Sequence, residues 1–245
     1  KIDIKEYVYL YNKFPIVNRT ITQSPGYLVD NENSYYLKVL YRDALICLVT
    51  ISIKKIFKGV LKIARISNGP LLVDSQENYS KKYLIQSIFN FCRLNGMNII
   101  SISPSLNFKE NQIKTKFLTF KLRRVPWGSI YLNLTKNEEN LEKSLKANWR
   151  NKVKKGNRLC KLKLVKNKYQ IKKILRGYQK FAKDLNFEPL SYKRCYRWSD
   201  NYLKENNLIN LKIFNSYSKN DPEEELGSIG IVNFGQTSFY LFVTT

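Results

Sequence analysis

Leu145-Lys-Ala-Asn-Trp-Arg-Asn-Lys-Val-Lys-Lys-Gly-Asn157, running into Cys160-Lys-Leu-Lys-Leu-Val165, is the stretch on which the reading of the fold turns. Leu141, Leu145, Trp149 and Val153 recur every four residues and make one apolar stripe of a helix. Upstream, Thr135 and Glu138 stand at capping-box spacing, where each side chain can satisfy a free N–H of the first turn. The spacing therefore predicts one helix from about Thr135, with Gly156 as its C-cap. Trp149 lies on the stripe and is expected in the core. Lys143, Lys146, Arg150, Lys152, Lys154 and Lys155 occupy the other faces. From Cys160 to Val165, Leu162 and Leu164 alternate with Lys161 and Lys163, the period of a strand.

Beyond this module, helical spacing recurs over about Tyr169–Leu185 and Lys193–Glu205. Three β-rich stretches follow at Leu208–Ser216, Gly227–Phe234 and Thr237–Val243, the last two joined by Gly235-Gln236. Before it, Lys5–Lys13 reads as a short helix. Tyr35–Tyr41, Leu45–Ile53 and Gly59–Ile66 read as a meander whose first turn is Arg42-Asp43. A helix over about Tyr79–Leu94, ended by Asn95-Gly96, leads to a strand at Asn98–Ser103. Further strands are expected at Phe117–Leu122 and Ser129–Leu134, around Pro126-Trp-Gly128. Each half thus holds a three-strand meander preceded by helix. That order is similar to the GNAT (N-acetyltransferase) fold. The expected class is α/β (α+β): tandem GNAT-like domains, with mixed, mostly antiparallel sheets and flanking helices. The first domain spans residues 1–134 and the second, incomplete at its C-terminus, spans 135–245.

Composition narrows the chemistry. The 245 residues carry 43 Lys and Arg against 19 Asp and Glu, a net charge of +24, and no histidine. Without imidazole the chain holds neither a Ser-His-Asp nor a Cys-His site, nor any zinc site that needs one. A 43% hydrophobic content supports a packed core. Cys47, Cys92, Cys160 and Cys195 never fall at Cys-x-x-Cys spacing, which argues against a metal knuckle and fits a reduced, cytoplasmic setting. The longest apolar runs, such as Ala44–Ile53, have strand length and are too short to span a bilayer. No P-loop, dinucleotide fingerprint or paired catalytic carboxylates occur, and no Gln/Arg-x-x-Gly-x-Gly/Ala loop that would cradle a coenzyme A diphosphate. No cofactor and no metal is expected. Between Lys114 and Arg176 the only acids are Glu138, Glu139 and Glu142, so the positive charge is concentrated there. Lysines on a helix often form nothing more than a solvated face. A helix this rich in Lys and Arg also suits a diphosphate or an RNA backbone, and Arg150 offers the planar fork that matches phosphate.

Taken together, Pro126-Trp-Gly-Ser-Ile-Tyr-Leu-Asn-Leu134, Glu138-Glu-Asn-Leu141 and the Leu145–Val165 module resemble the FemABX family, the aminoacyltransferases that build peptidoglycan interpeptide bridges. Three patches agree with the resemblance: Gln23-Ser24 in the N-terminal loop, Asn68-Gly69-Pro70 after the third strand, and Phe239-Tyr240-Leu241 on the last strand. Asn68 stands where the family usually has Arg. The resemblance implies a tandem GNAT-like fold, an aminoacyl-tRNA donor, and a nucleotide- or lipid-linked peptidoglycan precursor as acceptor. It also implies that the family continues for a further helix-strand-helix-strand block beyond Thr245, where catalytic residues are placed. The substrate-binding residues it points to are Asn68 and Gly69 at the cleft, Arg150 and Asn151 with Lys154 and Lys155 as an anion site, Lys193 and Arg194, and Tyr240. Peripheral association with an anionic membrane surface fits the charge. The connection Asn186–Tyr192 is short, so the coiled-coil arm of some family members is absent. Two alternatives stay open: a GNAT-type acyltransferase using acyl-CoA or an acyl carrier on a sugar, polysaccharide or peptide, and a non-catalytic nucleic-acid-binding protein.

Overall fold

The computed structural model describes residues 1–14, 19–28, 33–73, 81–103, 132–204, 209–235 and 237–244. The strand expected at Phe117–Leu122, the Pro126-Trp-Gly128 turn and residues 129–131 of the strand expected at Ser129–Leu134 lie outside the described residues; residues 132–134 are not in a strand. The chain divides into two compact units. One comprises Lys1–Thr119, Asp200–Asn210 and Val232–Phe239, the other Phe120–Ser199, Leu211–Ile231 and Tyr240–Thr245.

The first unit is built on one long strand. Helix α1 (Ile4–Lys13) precedes β1 (Ser34–Tyr41), β2 (Ala44–Ile56), β3 (Leu61–Ser67), β4 (Leu71–Leu72), α2 (Lys81–Leu94) and β5 (Ile99–Ser103). The sheet order is β1-β2-β3-β5, with β4 paired to β2. Arg42 and Asp43 both take positive φ, 47° and 61°, between the partners Tyr41 and Ala44. That is the two-residue hairpin turn whose twist matches the strands it joins. The run Ile46–Ile51 is buried without interruption because β2 is covered on both faces. Cys47, Val49 and Ile51 join Leu84, Ile85, Ile88 and Cys92 of α2 in one core. Leu48 joins Tyr7 and Tyr11 of α1, with Tyr36 and Leu71, in a second core on the opposite face. Each such aliphatic side chain contributes roughly 1.5–3 kcal/mol by leaving water. Strands β3 and β5 run parallel from Ile63↔Ile99 to Ser67↔Ser103, and α2 provides the crossover that a parallel pair requires.

Later in the chain, α3 (Glu138–Ser144), α4 (Ala147–Leu159), β6 (Cys160–Leu164), α5 (Lys168–Asp184) and α6 (Tyr192–Leu203) precede β7 (Asn210–Ser218), β8 (Glu225–Phe234) and β9 (Thr237–Thr244). Their sheet order is β6-β7-β8-β9, with β6 antiparallel to β7. Asn167 caps α5 by accepting from the N–H groups of Tyr169 and Gln170 at 2.8 and 3.1 Å. Helix α5 buries Ile171, Ile174, Leu175, Tyr178 and Ala182 at the helical period. Alternate residues of β7 (Leu211, Ile213, Asn215) are buried too. The Phe242 ring stacks on Tyr178 with centroids 4.6 Å apart. It passes so close to Gly230 that a Cβ there would lie 2.4 Å from the ring. The mixed α+β class with two mostly antiparallel sheets is the one the sequence predicts.

The opening stretch folds differently from its reading. The single helix expected from Thr135 to Gly156 is two helices, broken at Leu145 and Lys146, which are extended. The Ser144 hydroxyl donates to the Leu141 carbonyl at 2.6 Å, a local bond that competes with continuing the helix. Asn137, not Thr135, caps α3, and the Thr135 side chain instead bonds Asn133. Gly156 lies inside α4, which runs on to Leu159. No residue of α4 is buried, and Trp149 is 54% exposed rather than in the core. Leu162 on β6 is exposed as well. The periodicity correctly marks one apolar side; it carries no information about what covers that side.

Candidate functional site

The Thr20–Ser24 segment and the corner between β3 and β4 form one hydrogen-bonded body. Strand β3 leaves β2 after Arg65↔Ser52, and β4 rejoins β2 at Leu71↔Leu48. Thr50, midway between, therefore has no backbone partner on that edge. The buried Gln23 side chain takes the vacant place. Its Oε1 accepts from the Thr50 N–H at 2.7 Å, and its Nε2 donates to the carbonyls of Thr50 (3.2 Å) and Ser67 (3.0 Å). Thr22 and Thr20 hydroxyls donate to the carbonyls of Ser67 and Asn68 at 2.7 and 3.0 Å. From the other side, the Tyr7 hydroxyl donates to the Gln23 carbonyl at 2.8 Å.

Asn68 and Gly69 owe their geometry to this body. The Gly69–Pro70 peptide is cis, and Asn68 has φ 48°, a left-handed conformation that Asn tolerates better than most residues. A Cβ on Gly69 would fall 2.6–2.9 Å from the Gln23 amide, so only glycine fits. Gly69 is buried and its N–H donates to the Ser103 carbonyl at 3.3 Å, whereas the Asn68 side chain is exposed. Of this pair, Asn68 presents a polar group outward and Gly69 makes room for Gln23. The sequence singled out Gln23 only as part of a patch; Thr20, Thr22 and Thr50 carried no signal, because their roles depend on segments far apart in the chain.

The other seven candidates belong to the second unit and fall on three elements. On α4, the Arg150 Nη1 donates to the Lys143 carbonyl at 3.3 Å, at the C-terminal end of α3, where a cation is favoured. Lys154 lies 3.7 Å from Glu142, and Lys152 sits over the Trp149 ring at 4.7 Å. Asn151 and Lys155 are exposed. Helix α4 carries five cations and no acid. On α6, Lys193 and Arg194 stand in the first turn, with the Arg194 N–H donating to the Ser191 hydroxyl at 3.3 Å. Helix N-termini disfavour positive charge, and both cations stand at one. The parallel rings of Tyr192 and Tyr196 lie beside them, with Lys172 of α5 over Tyr196. On β9, Tyr240 is exposed.

Among the described residues no group of His, Cys, Asp or Glu is arranged to hold a metal ion, and no helix is long and apolar enough to cross a membrane. All four cysteines are free thiols. Burial pushes the Cys92 and Cys195 thiols up to about 12 and raises Cys47 further, which keeps them neutral and poorly nucleophilic. A polar cluster that the sequence did not reveal closes the core edge under α5. The Asn215 side chain accepts from the Ser228 hydroxyl at 2.7 Å and donates to Glu225, which Lys173 approaches at 3.8 Å.

No protein-family model matches the sequence, and no curated protein matches it. A solved structure does: the crystal structure of FemX aligns with a TM-score of 0.66 and 13% identity, over 100% of this chain and 79% of that one. The chain therefore has a FemABX-like fold.

Proposed function

We propose that this protein is a FemABX-type non-ribosomal aminoacyltransferase. It moves an aminoacyl group from aminoacyl-tRNA to an amine of a peptidoglycan precursor peptide carried on a nucleotide or lipid diphosphate. The observation that carries this reading is the likeness to FemX along the whole chain. The absence of histidine is compatible with it, because the reaction needs no imidazole. The amine lone pair forms the new C–N bond, the ester C–O bond breaks, and the released ribose hydroxyl keeps the proton that the amine loses. Alignment of the two partners supplies much of the acceleration, and backbone N–H groups with a nearby cation stabilise the tetrahedral oxyanion.

In this reading residues 1–134 and 135–245 are the two GNAT-like halves. Lys193 and Arg194 take an acceptor phosphate at the N-terminus of α6. Arg150, Asn151, Lys154 and Lys155 present the phosphate-binding face of α4. Asn68, Gly69 and Tyr240 border the substrate. The positive field draws in both polyanionic partners and extends to an anionic membrane surface where a lipid-linked acceptor resides. The working compartment is the cytoplasm, where aminoacyl-tRNA is made.

The test is transfer by the full-length protein to a nucleotide-linked peptidoglycan precursor, with radiolabelled aminoacyl-tRNA in one arm and labelled acetyl-CoA in the other. Label is expected to arrive from tRNA. Label arriving from acetyl-CoA would replace this reading by the acyl-CoA one. Failure of both, with RNA binding that weakens steeply with salt, would leave a nucleic-acid-binding protein.

A further inference from the structure

A hollow lies in the first unit, away from every residue assigned above. It encloses about 250 Å³ and is lined by Lys1, Asn33, Ser34, Tyr35, Ile53, Lys55, Lys62 and Asn95. Lys62 opens β3 and Asn68 follows its end; six residues at about 3.3 Å each separate the two by roughly 20 Å. The hollow thus sits at the opposite end of β3 from the Asn68 corner.

Its charge is one-sided. Lys55 and Lys62 are direct cross-strand partners in the β2–β3 ladder, so their Cβ atoms lie about 5 Å apart on one face. Like charges so placed destabilise a sheet. Lys1 adds a third ammonium at the rim, 4.9 Å from the centre of the Tyr35 ring. Among the described residues that line it, none is acidic. Lys62 passes close to Gly96, in the turn that ends α2, where helix carbonyls offset part of its charge. Lys55 has no such complement among the described residues. Asn33, Ser34 and Asn95 add neutral hydrogen-bonding groups, while Tyr35 and Ile53 give the base an apolar patch.

We infer that this hollow binds a small multi-anionic phosphate compound, of the diphosphate class, between Lys55, Lys62 and Lys1. Such a ligand turns the repulsion across the β2–β3 ladder into a paired arrangement. The inference goes beyond the proposed transfer reaction and does not rest on it.

Sodium pyrophosphate is the probe, titrated into the full chain in NaCl at about 0.15 M, near physiological ionic strength, and followed by amide NMR shifts. Saturable shifts are expected at residues 33–35, 53–55, 62 and 95, separate from any at the α4 and α6 cations. Lys55→Gln should weaken binding at least about tenfold, and Lys152→Gln on α4 should leave it unchanged. Because Lys55→Gln relieves the repulsion, its Tm without pyrophosphate should equal or exceed that of the parent chain. Adding pyrophosphate should raise the Tm of the parent chain more than that of the variant. Equal binding at these residues by Lys55→Gln, no shifts at residues 53–55 and 62, or a lower Tm for ligand-free Lys55→Gln would each overturn the inference.

Discussion

Gln23 and Thr50 are joined by two hydrogen bonds that place a side-chain amide where a neighbouring strand would be. The Gln23 Oε1 accepts from the Thr50 N–H at 2.7 Å while its Nε2 donates to the Thr50 carbonyl at 3.2 Å. The same amide holds Ser67 and fixes the room available at Gly69. Replacement by alanine leaves the Thr50 N–H and carbonyl without the Gln23 amide, takes one of two donors from the Ser67 carbonyl, and opens a cavity. Gln23→Ala should therefore lose roughly 3–5 kcal/mol, at about 1–3 kcal/mol for each unsatisfied group with partial relaxation. A urea midpoint shift with unchanged m-value would measure it. Gly69→Ala should be comparably harmful, and no additive loss is expected in the double variant, since both act on one contact.

A second close approach gives an independent stability prediction. Any side chain at residue 230 meets the Phe242 ring, which Tyr178 holds in place from the other side. Gly230→Ala should cost about 1–3 kcal/mol through overpacking. The smaller, more pliable Phe242→Leu background should reduce that loss, because the ring is the obstacle. Denaturant midpoints of the two single variants and the double variant provide the test. Equal losses in both backgrounds would mean that the ring yields freely.

These two contacts also show what the sequence could and could not disclose. The core of β2 was legible because an apolar run of that length states its own burial. The α5 stripe was legible because Ile171, Leu175, Tyr178 and Ala182 repeat at the helical period. Arg42-Asp43 announced a tight turn by its position between strands. Gln23 and Thr50, by contrast, stand 27 residues apart, and nothing local in either marks the partnership. At the break between α3 and α4 the Ser144 hydroxyl takes the Leu141 carbonyl, a local choice that the apolar period does not encode. Trp149 was expected in the core because its stripe was read as buried, and the structure turns that stripe outward. The candidate cations were visible as composition, but their pairing with Lys143 and Glu142 needed the fold.

Alkaline pH should destabilise the first unit through its buried tyrosines. Burial pushes the Tyr11 and Tyr36 hydroxyls from 10.0 up to about 12, with Arg19 partly opposing the shift at Tyr11, and raises Tyr7 as well. A folded pKa above the unfolded one means that the folded chain holds its proton longer. The stabilisation is complete below about pH 10 and is lost as pH rises toward 12, at about 1.4 kcal/mol per pH unit for each tyrosine. The buried thiols Cys92 and Cys195 act in the same direction from about pH 9. Urea midpoints between pH 8 and 11 should fall progressively. The Tyr36 hydroxyl is buried without a hydrogen-bond partner among the described residues. Tyr36→Phe should therefore be as stable as the parent chain or more so at pH 8, with a shallower decline above pH 10.

The cations of α4 offer the sharpest separation of structural from functional roles. Arg150 and Lys154 reach back to α3 through exposed contacts, a 3.3 Å bond to a carbonyl and a 3.7 Å ion pair. Exposed pairs of this kind are worth about 1 kcal/mol or less. Arg150→Ala and Lys154→Ala should each shift the urea midpoint only slightly. If the α4 face holds phosphates, each variant should raise the KM for tRNA or for the diphosphate-bearing acceptor and flatten the dependence of binding on salt by about one ion per lost contact. Arg150→Lys should restore the charge but not the fork, and so recover only part of the loss. An unchanged KM for both substrates in both alanine variants would confine these side chains to bracing the corner between α3 and α4. Binding of the polyanions would then fall to Lys193 and Arg194, where two cations already crowd a helix end that favours negative charge.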